Sequence, residues 1–177
     1  MKCIVSSIVS VAITLVVASH AQAALVGSYS VGNGSNASHL QFDFTNSNSY
    51  LYEVRYDGAM FGDDLFAIVA AAQPSFFSFV VTTYSFGDAL TGVTIGNDTD
   101  AGFGTPPDYL DYWHYWTRDN SESAWTESWV GFTERAVSNG SWDGWVFNSA
   151  GAPSVVPAPT VAALFLLTPL ARRRRRR

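Results

Sequence analysis

The chain has 177 residues, a single cysteine, fifteen acidic and ten basic side chains, and a formal net charge of -5. Seven of the basic residues sit at the ends, at Lys2 and at positions 172–177, so residues 24–154 set only Arg55, Arg118 and Arg135 against all fifteen carboxylates, a formal net charge of -12. That surface offers nothing to phosphates and argues against a nucleic-acid partner, and a lone Cys3 excludes a disulfide framework.

In chain order, Met1-Lys2 is a short basic start, residues 3–18 are nearly all apolar, and Ala21-Gln22-Ala23 is a small-x-small box. This is the pattern of a secretory signal peptide, to be cut by signal peptidase after Ala23, leaving Ala24 first. Cleavage also removes Cys3.

Leu25-Val26-Gly27-Ser28-Tyr29 reads as an opening strand. Leu40, Phe42 and Phe44 then alternate with Gln41, Asp43 and Thr45, the pattern of a half-buried strand. After the polar turn Asn46-Ser47-Asn48-Ser49, Tyr50, Tyr52, Val54 and Tyr56 alternate in the same way up to Asp57-Gly58, so the two runs predict a hairpin. Residues 62–73, GDDLFAIVAAAQ, predict the one helix: Asp63 or Asp64 suits its first turn, Leu65, Ile68, Val69 and Ala72 form an apolar stripe, and Pro74 stops it. Residues 76–86 are aromatic and β-branched and predict a central strand, with residues 89–95 as another. Strand, strand, helix, strand, strand makes a small α+β domain of β-grasp type, a sheet crossed by one amphipathic helix and followed by a Trp/Tyr-rich segment.

That segment, residues 106–145, holds all six tryptophans. An indole carries a large apolar area and an N–H that needs a partner, so such a cluster is either core with polar handles or a flat recognition surface. Tyr112, Trp113, Tyr115, Trp116, Trp142 and Trp145 are the candidate ligand-contacting rings. Trp113 and Trp142 are expected to be buried and Trp116 or Trp145 partly exposed, the cluster closing the back of the sheet. Rings three apart share one side of a helical turn and split in a strand.

Two polar sets stand beside it. Asn97, Asp98 and Asp100 place oxygen ligands in one turn-rich loop, as a calcium site needs, although the twelfth position is Asp108 rather than a glutamate and an ordinary solvated loop fits as well. Asp111, His114 and Arg118 would share a face of a helix, with Asp108 and Asp119 nearby, and a histidine beside a carboxylate suits a base. No third organising group or nucleophile accompanies them, so neither an enzyme nor a cofactor is expected.

Tyr56-Asp57-Gly58, Gly62-Asp63-Asp64-Leu65, Tyr112-Trp113-His114-Tyr115-Trp116 and Gly140-Ser141-Trp142-Asp143-Gly144-Trp145 together resemble a family of secreted bacterial domains related to the C-terminal domain of transcobalamin and intrinsic factor. There a strand–helix–strand unit is followed by Y-W-x-Y-W and then by G-x-x-x-G-W. The resemblance spans most of residues 40–147. Vertebrate members take part in cobalamin binding, but no cobalamin-contacting residue carries over to this chain.

At the far end, Val156-Pro157-Ala158-Pro159 precedes apolar residues 160–171 and six arginines from Arg172 and Arg173 to Arg177. About 20 apolar residues span a bilayer comfortably, which residues 155–171 nearly reach, and the arginines would stay on the cytoplasmic side. This order resembles the PEP-CTERM sorting tail of Gram-negative bacteria, with Ala158 where that family has glutamate. The resemblance implies an exosortase-type sorting protease as partner, the inner membrane as first anchor, and delivery to the cell surface or extracellular matrix. The expected organisation is a signal peptide (1–23), an exported acidic domain (24–148), a Pro/Gly/Ser spacer (149–159) and the anchor with its arginine cluster (160–177). A non-catalytic surface or matrix protein is the expected function; the alternative is a surface-displayed small-ligand or carbohydrate-binding module, which tryptophans exposed around a groove would favour.

Overall fold

The first half of the chain folds as its alternation directs. In the computed structural model, which describes residues 23–154, β1 (Ala24–Gly32), β2 (Asn36–Asp43) and β3 (Asn48–Tyr56) lie side by side. β2 and β3 form the expected antiparallel hairpin, with Leu40 opposite Tyr52 and Phe42 opposite Tyr50, and β1 joins β3 in parallel. Ala21, the apolar leader and the sorting residues Val156 to Pro159 and Arg172 to Arg177 fall outside the described residues.

β4 (Met60–Phe61) leads into α1 (Gly62–Ala72), after which β5 (Phe77–Tyr84), β6 (Gly87–Ile95) and β7 (Asp98–Ala101) form a separate antiparallel sheet. β8 (Trp113–Arg118), β9 (Thr126–Glu127), β10 (Ala136–Val137) and β11 (Trp142–Phe147) complete the chain. β10 pairs with β4, while β11 inserts between β2 and β8, parallel to the first and antiparallel to the second. The main sheet therefore runs β1-β3-β2-β11-β8-β9. The result is a mixed α+β fold with one helix among the described residues and a Trp/Tyr-rich aromatic cluster.

α1 covers the face of the main sheet that carries Leu40, Phe42, Tyr50, Tyr52 and Val54, all buried. Its first turn is fixed by Asp64, whose carboxylate accepts the Phe61 backbone N–H at 2.8 Å. At the centre of the core, the Phe66 ring meets Phe42, Phe132 and Trp145 with centroids 5.5, 5.4 and 5.7 Å away. Edge and tilted approaches of this kind suit the ring quadrupoles.

Three expectations change here. The helix has the predicted span, but its core face is Leu65, Phe66 and Val69, with Ile68 half-buried and Ala72 exposed. Rolling the helix to bury the large Phe66 ring between the sheets gains more apolar area than centring it on Ile68. Residues 76–86 do not make a central strand: β5 is an edge of the second sheet, with Phe77 inward and Val80 outward, because an aromatic run bends to whichever face has partners. Finally, the segments around Tyr112–Trp116 and Trp142–Trp145 are neither helical nor a following layer. They are strands of the main sheet, so each tryptophan pair splits: Trp113 and Trp145 face the helix, and Trp116 and Trp142 face away.

Candidate binding cleft

β9 pairs with β8 only at Trp116 and Thr117. The beginning of β8 is thus left open along its edge, facing β6 of the second sheet across a cleft of about 280 Å³. Trp113, Tyr115, Trp145 and Phe132 form its floor, Leu90, Phe86 and Phe103 one wall, and Glu127, Ser128 and Val130 the other. Tyr115 stacks on Trp145 at 4.2 Å and 11°, and Tyr112 stacks on His114 at 3.8 Å. Outside, Tyr84, Phe86 and Phe103 form a ladder of near-parallel rings, Phe103 4.5 Å and Phe86 5.2 Å from Tyr84, with Phe86 71% exposed. A second groove of about 390 Å³ shares Phe86, Asp88, Ser128, Val130 and Gly131 with the first and runs on to Trp129, which is 91% exposed.

The floor has unmet polar atoms. His114 and Trp145 are each 3% exposed, yet His114 Nε2 and Trp145 Nε1 have no hydrogen-bond partner among the described residues. Burial lowers the His114 pKa, opposed by a hydrogen bond to the Leu110 backbone and by the charge of Glu127, so the ring is neutral at pH 7. With Nε2 unpaired, that bond comes from Nδ1, and Nε2 is left as an acceptor. Burial, with the charge of Asp143 behind it, raises the Tyr115 pKa and keeps the phenol protonated.

Beneath the cleft, Asp143 is 1% exposed and stands 3.0 Å from Arg135 Nε in a buried ion pair. Desolvation raises the Asp143 pKa to about 6, against the lowering effect of Arg135. The helix starts close above it. A methyl group at Gly62 would come within 2.5 Å of the Phe132 carbonyl oxygen and 3.4 Å of Asp143 Oδ2, so the closeness requires glycine.

Of the six predicted rings, Tyr112, Trp113, Tyr115 and Trp145 line the cleft. Trp116 and Trp142 lie on the opposite face of the sheet, where Trp142 stacks on His39 at 4.2 Å and the Arg118 guanidinium is held between Trp142 and Trp125, 4.0 and 4.3 Å from the two rings. That arrangement is a cation–π sandwich closing the back of the sheet. Trp113 and Trp142 are buried and Trp116 is partly exposed as expected, while Trp145 is buried as well. Phe86, Phe103 and Val130 were missed, since they come from three separate segments; the only hint in the sequence is a phenylalanine beside a glycine in two turns.

The polar sets have other tasks. Asn97 lies in the β6–β7 turn. Asp98 accepts from Asn46, Asn48 and the Tyr50 hydroxyl at 2.8, 2.8 and 2.7 Å, and Asp100 accepts from the Thr45 backbone and hydroxyl, so both carboxylates clamp the β2–β3 turn to β7. Among the described residues no group of three His, Cys, Asp or Glu side chains gathers as a metal site would require. Asp111 accepts the Thr105 backbone N–H. Because β8 is a strand, His114 and Arg118 stand roughly 13 Å apart along it rather than one helical turn apart. The dyad of a helical reading is not formed. In comparisons with known proteins no family model matches the chain and no curated protein matches it, which leaves the geometry of the cleft to indicate what it holds.

Proposed function

We propose that residues 24–148 are a non-catalytic binding module, exported and held at the cell surface, which takes a small flat-faced ligand of the carbohydrate type in the cleft between β6 and β8. The observation that carries this reading is the cleft itself: a floor of buried aromatic rings with unpartnered Trp145 Nε1 and His114 Nε2, beneath the exposed ladder of Phe86, Phe103 and Tyr84. Ring faces pack against the C–H faces of a sugar. The Trp145 indole donor and the His114 imidazole acceptor, which alternation along β8 and β11 sets on opposite faces of the sheet, each suit a hydroxyl, which both donates and accepts. Buried polar atoms left unmade cost about 1–3 kcal/mol each, an incentive for a ligand or water to supply what the protein does not. Cleft and groove together match the size of small-molecule sites.

The leader with Ala21 and Ala23, the tail with Val156-Pro157-Ala158-Pro159, and the terminal arginines support export through signal peptidase and handling by an exosortase-type protease at the inner membrane. The tyrosine and tryptophan motifs support kinship with the transcobalamin-related secreted domains and a β-grasp ancestry. The test is a glycan-array screen of the exported protein followed by tryptophan-fluorescence titration of the best hit. Tyr112→Ala and Phe86→Ala should abolish binding with the melting temperature unchanged, and the back-face variant Trp116→Phe should bind normally. If no glycan or other small ligand is retained, the binding module fails and a ligand-free surface protein is left.

A further inference from the structure

We propose that the ligand is positively charged as well as hydroxylated, an amino-sugar glycan with free ammonium groups. This rests on the binding-cleft reading above and names the ligand of that same site.

Charge is the first ground. Asp88 and Glu127 line the cleft, Asp88 and Glu134 line the adjoining groove, and among the described residues no lysine or arginine lines either. The three arginines of residues 24–154 are all committed elsewhere: Arg55 to Glu53 at 2.9 Å, Arg118 between two tryptophan rings, and Arg135 to buried Asp143. Nothing in the domain neutralises the rim. An anionic glycan would meet repulsion there, whereas a cation is attracted to the carboxylates and also gains from the ring faces of Phe86, Tyr112 and Trp129. The field of Glu127 reaches the interior of the cleft, where it acts on both Tyr112 and His114.

The second ground is independent of charge. Both His114 and Trp145 are more than nine-tenths buried, line the cleft, and leave one acceptor and one donor nitrogen unpaired. A simple alkylammonium ion can donate to His114 Nε2 but offers no acceptor to Trp145 Nε1. A sugar carries several hydroxyls, which accept as well as donate, and so suits each of the two atoms. The groove supplies the third ground: it continues the cleft through five shared residues, so the chain of carboxylates Glu127, Asp88 and Glu134 follows a path for more than one ring. Repeating positive charge on a sugar chain matches repeating negative charge along that path.

The experiment uses the exported protein and four probes of equal length: a fully deacetylated glucosamine oligomer, its N-acetylated counterpart, a cello-oligosaccharide and oligolysine, titrated at a pH where the amines are charged and at low and high salt. The deacetylated sugar should bind about tenfold more tightly than either neutral sugar, with an advantage that shrinks in high salt. The double variant Asp88→Asn/Glu127→Gln should erase that advantage, and Phe86→Ala should weaken all three sugars. Equal binding of the three sugars overturns the charge inference and leaves the cleft standing. Equal binding of oligolysine overturns the sugar half of it. Binding of the deacetylated oligomer that neither the double variant nor Phe86→Ala changes places it on the acidic surface at large and overturns the proposal, and binding of no probe refutes it outright.

Discussion

Replacing Asp143 by asparagine should change how stability depends on pH more than it changes stability at any one pH. The wild-type carboxyl has a folded-state pKa of about 6 against 3.8 for an aspartate in water, because burial penalises its charged form more than Arg135 rewards it. A raised carboxyl pKa means that the folded state holds the proton longer, so the contribution of this group is fully present below the unfolded value and is lost as pH rises through the folded one. The difference of roughly two units corresponds to about 3 kcal/mol. Asparagine has no proton to lose. The other shifted histidines and carboxylates, His39 and His114 lowered by burial and Asp57, Asp98 and Asp111 lowered by hydrogen bonds, are common to both proteins and cancel in the comparison. Urea denaturation followed by tryptophan fluorescence from about pH 3 to about pH 7.5 should therefore show wild type losing about 3 kcal/mol relative to Asp143→Asn, with the change complete shortly above pH 6. Parallel stability profiles for the two proteins would show that the buried pair titrates as an ordinary surface carboxylate, and the reasoning would fall.

Phe66→Ala should cost about 3–5 kcal/mol in chemical denaturation, and Ile68→Ala clearly less, since Phe66 is the residue the core closes around; equal costs would restore the stripe centred on Ile68. Gly144→Val should lower the melting temperature and change the near-ultraviolet dichroism, because a Cβ there meets Pro153 at 2.5 Å and Trp125 at 2.8 Å and so breaks the Arg118 sandwich. Trp129→Phe should remove the most red-shifted part of the emission while changing stability by less than about 0.5 kcal/mol, and a larger loss would mean that this ring is not free in solution. N-terminal sequencing of the exported protein should begin at Ala24, and retention of Met1 would overturn the reading of the leader.

α1 was legible because it has one wet and one dry face, and the β2–β3 hairpin because apolar and polar residues alternate along it, although the polar face is buried too, with Gln41 and Asp43 held in hydrogen bonds to Ser49 and Ser154. β8 and β11 have no such contrast. The helix side buries Trp113 and Trp145, and on the other side Trp142 is buried with Trp125 and Pro153 packed close to Gly144, so nearly every position of β11 reads apolar or is desolvated, Asp143 included. A run of that kind cannot be told from a helical turn by periodicity. The same limit misplaced residues 76–86, where Val80 and Phe86 are apolar yet outward. The cleft was half visible: Tyr112, Trp113, Tyr115 and Trp145 are concentrated in sequence, but its mouth is made by Phe86 and Phe103, which only the meeting of the two sheets brings to Tyr112.

The place of β11 affects how the chain can be made. It is the last strand among the described residues, yet it sits in the middle of the main sheet, with β2 on one side and β8 on the other. Until residue 147 has been released, the sheet exists only as two pieces, β1-β3-β2 and β8-β9, and neither Phe66 nor Phe132 has the Trp145 ring to close on. Synthesis proceeds from the N-terminus, and a domain condenses only when its partners are present. A chain of this topology therefore stays open until β11 has been made, and a ribosome that stalls before Trp142 releases a product unable to assemble the sheet at all.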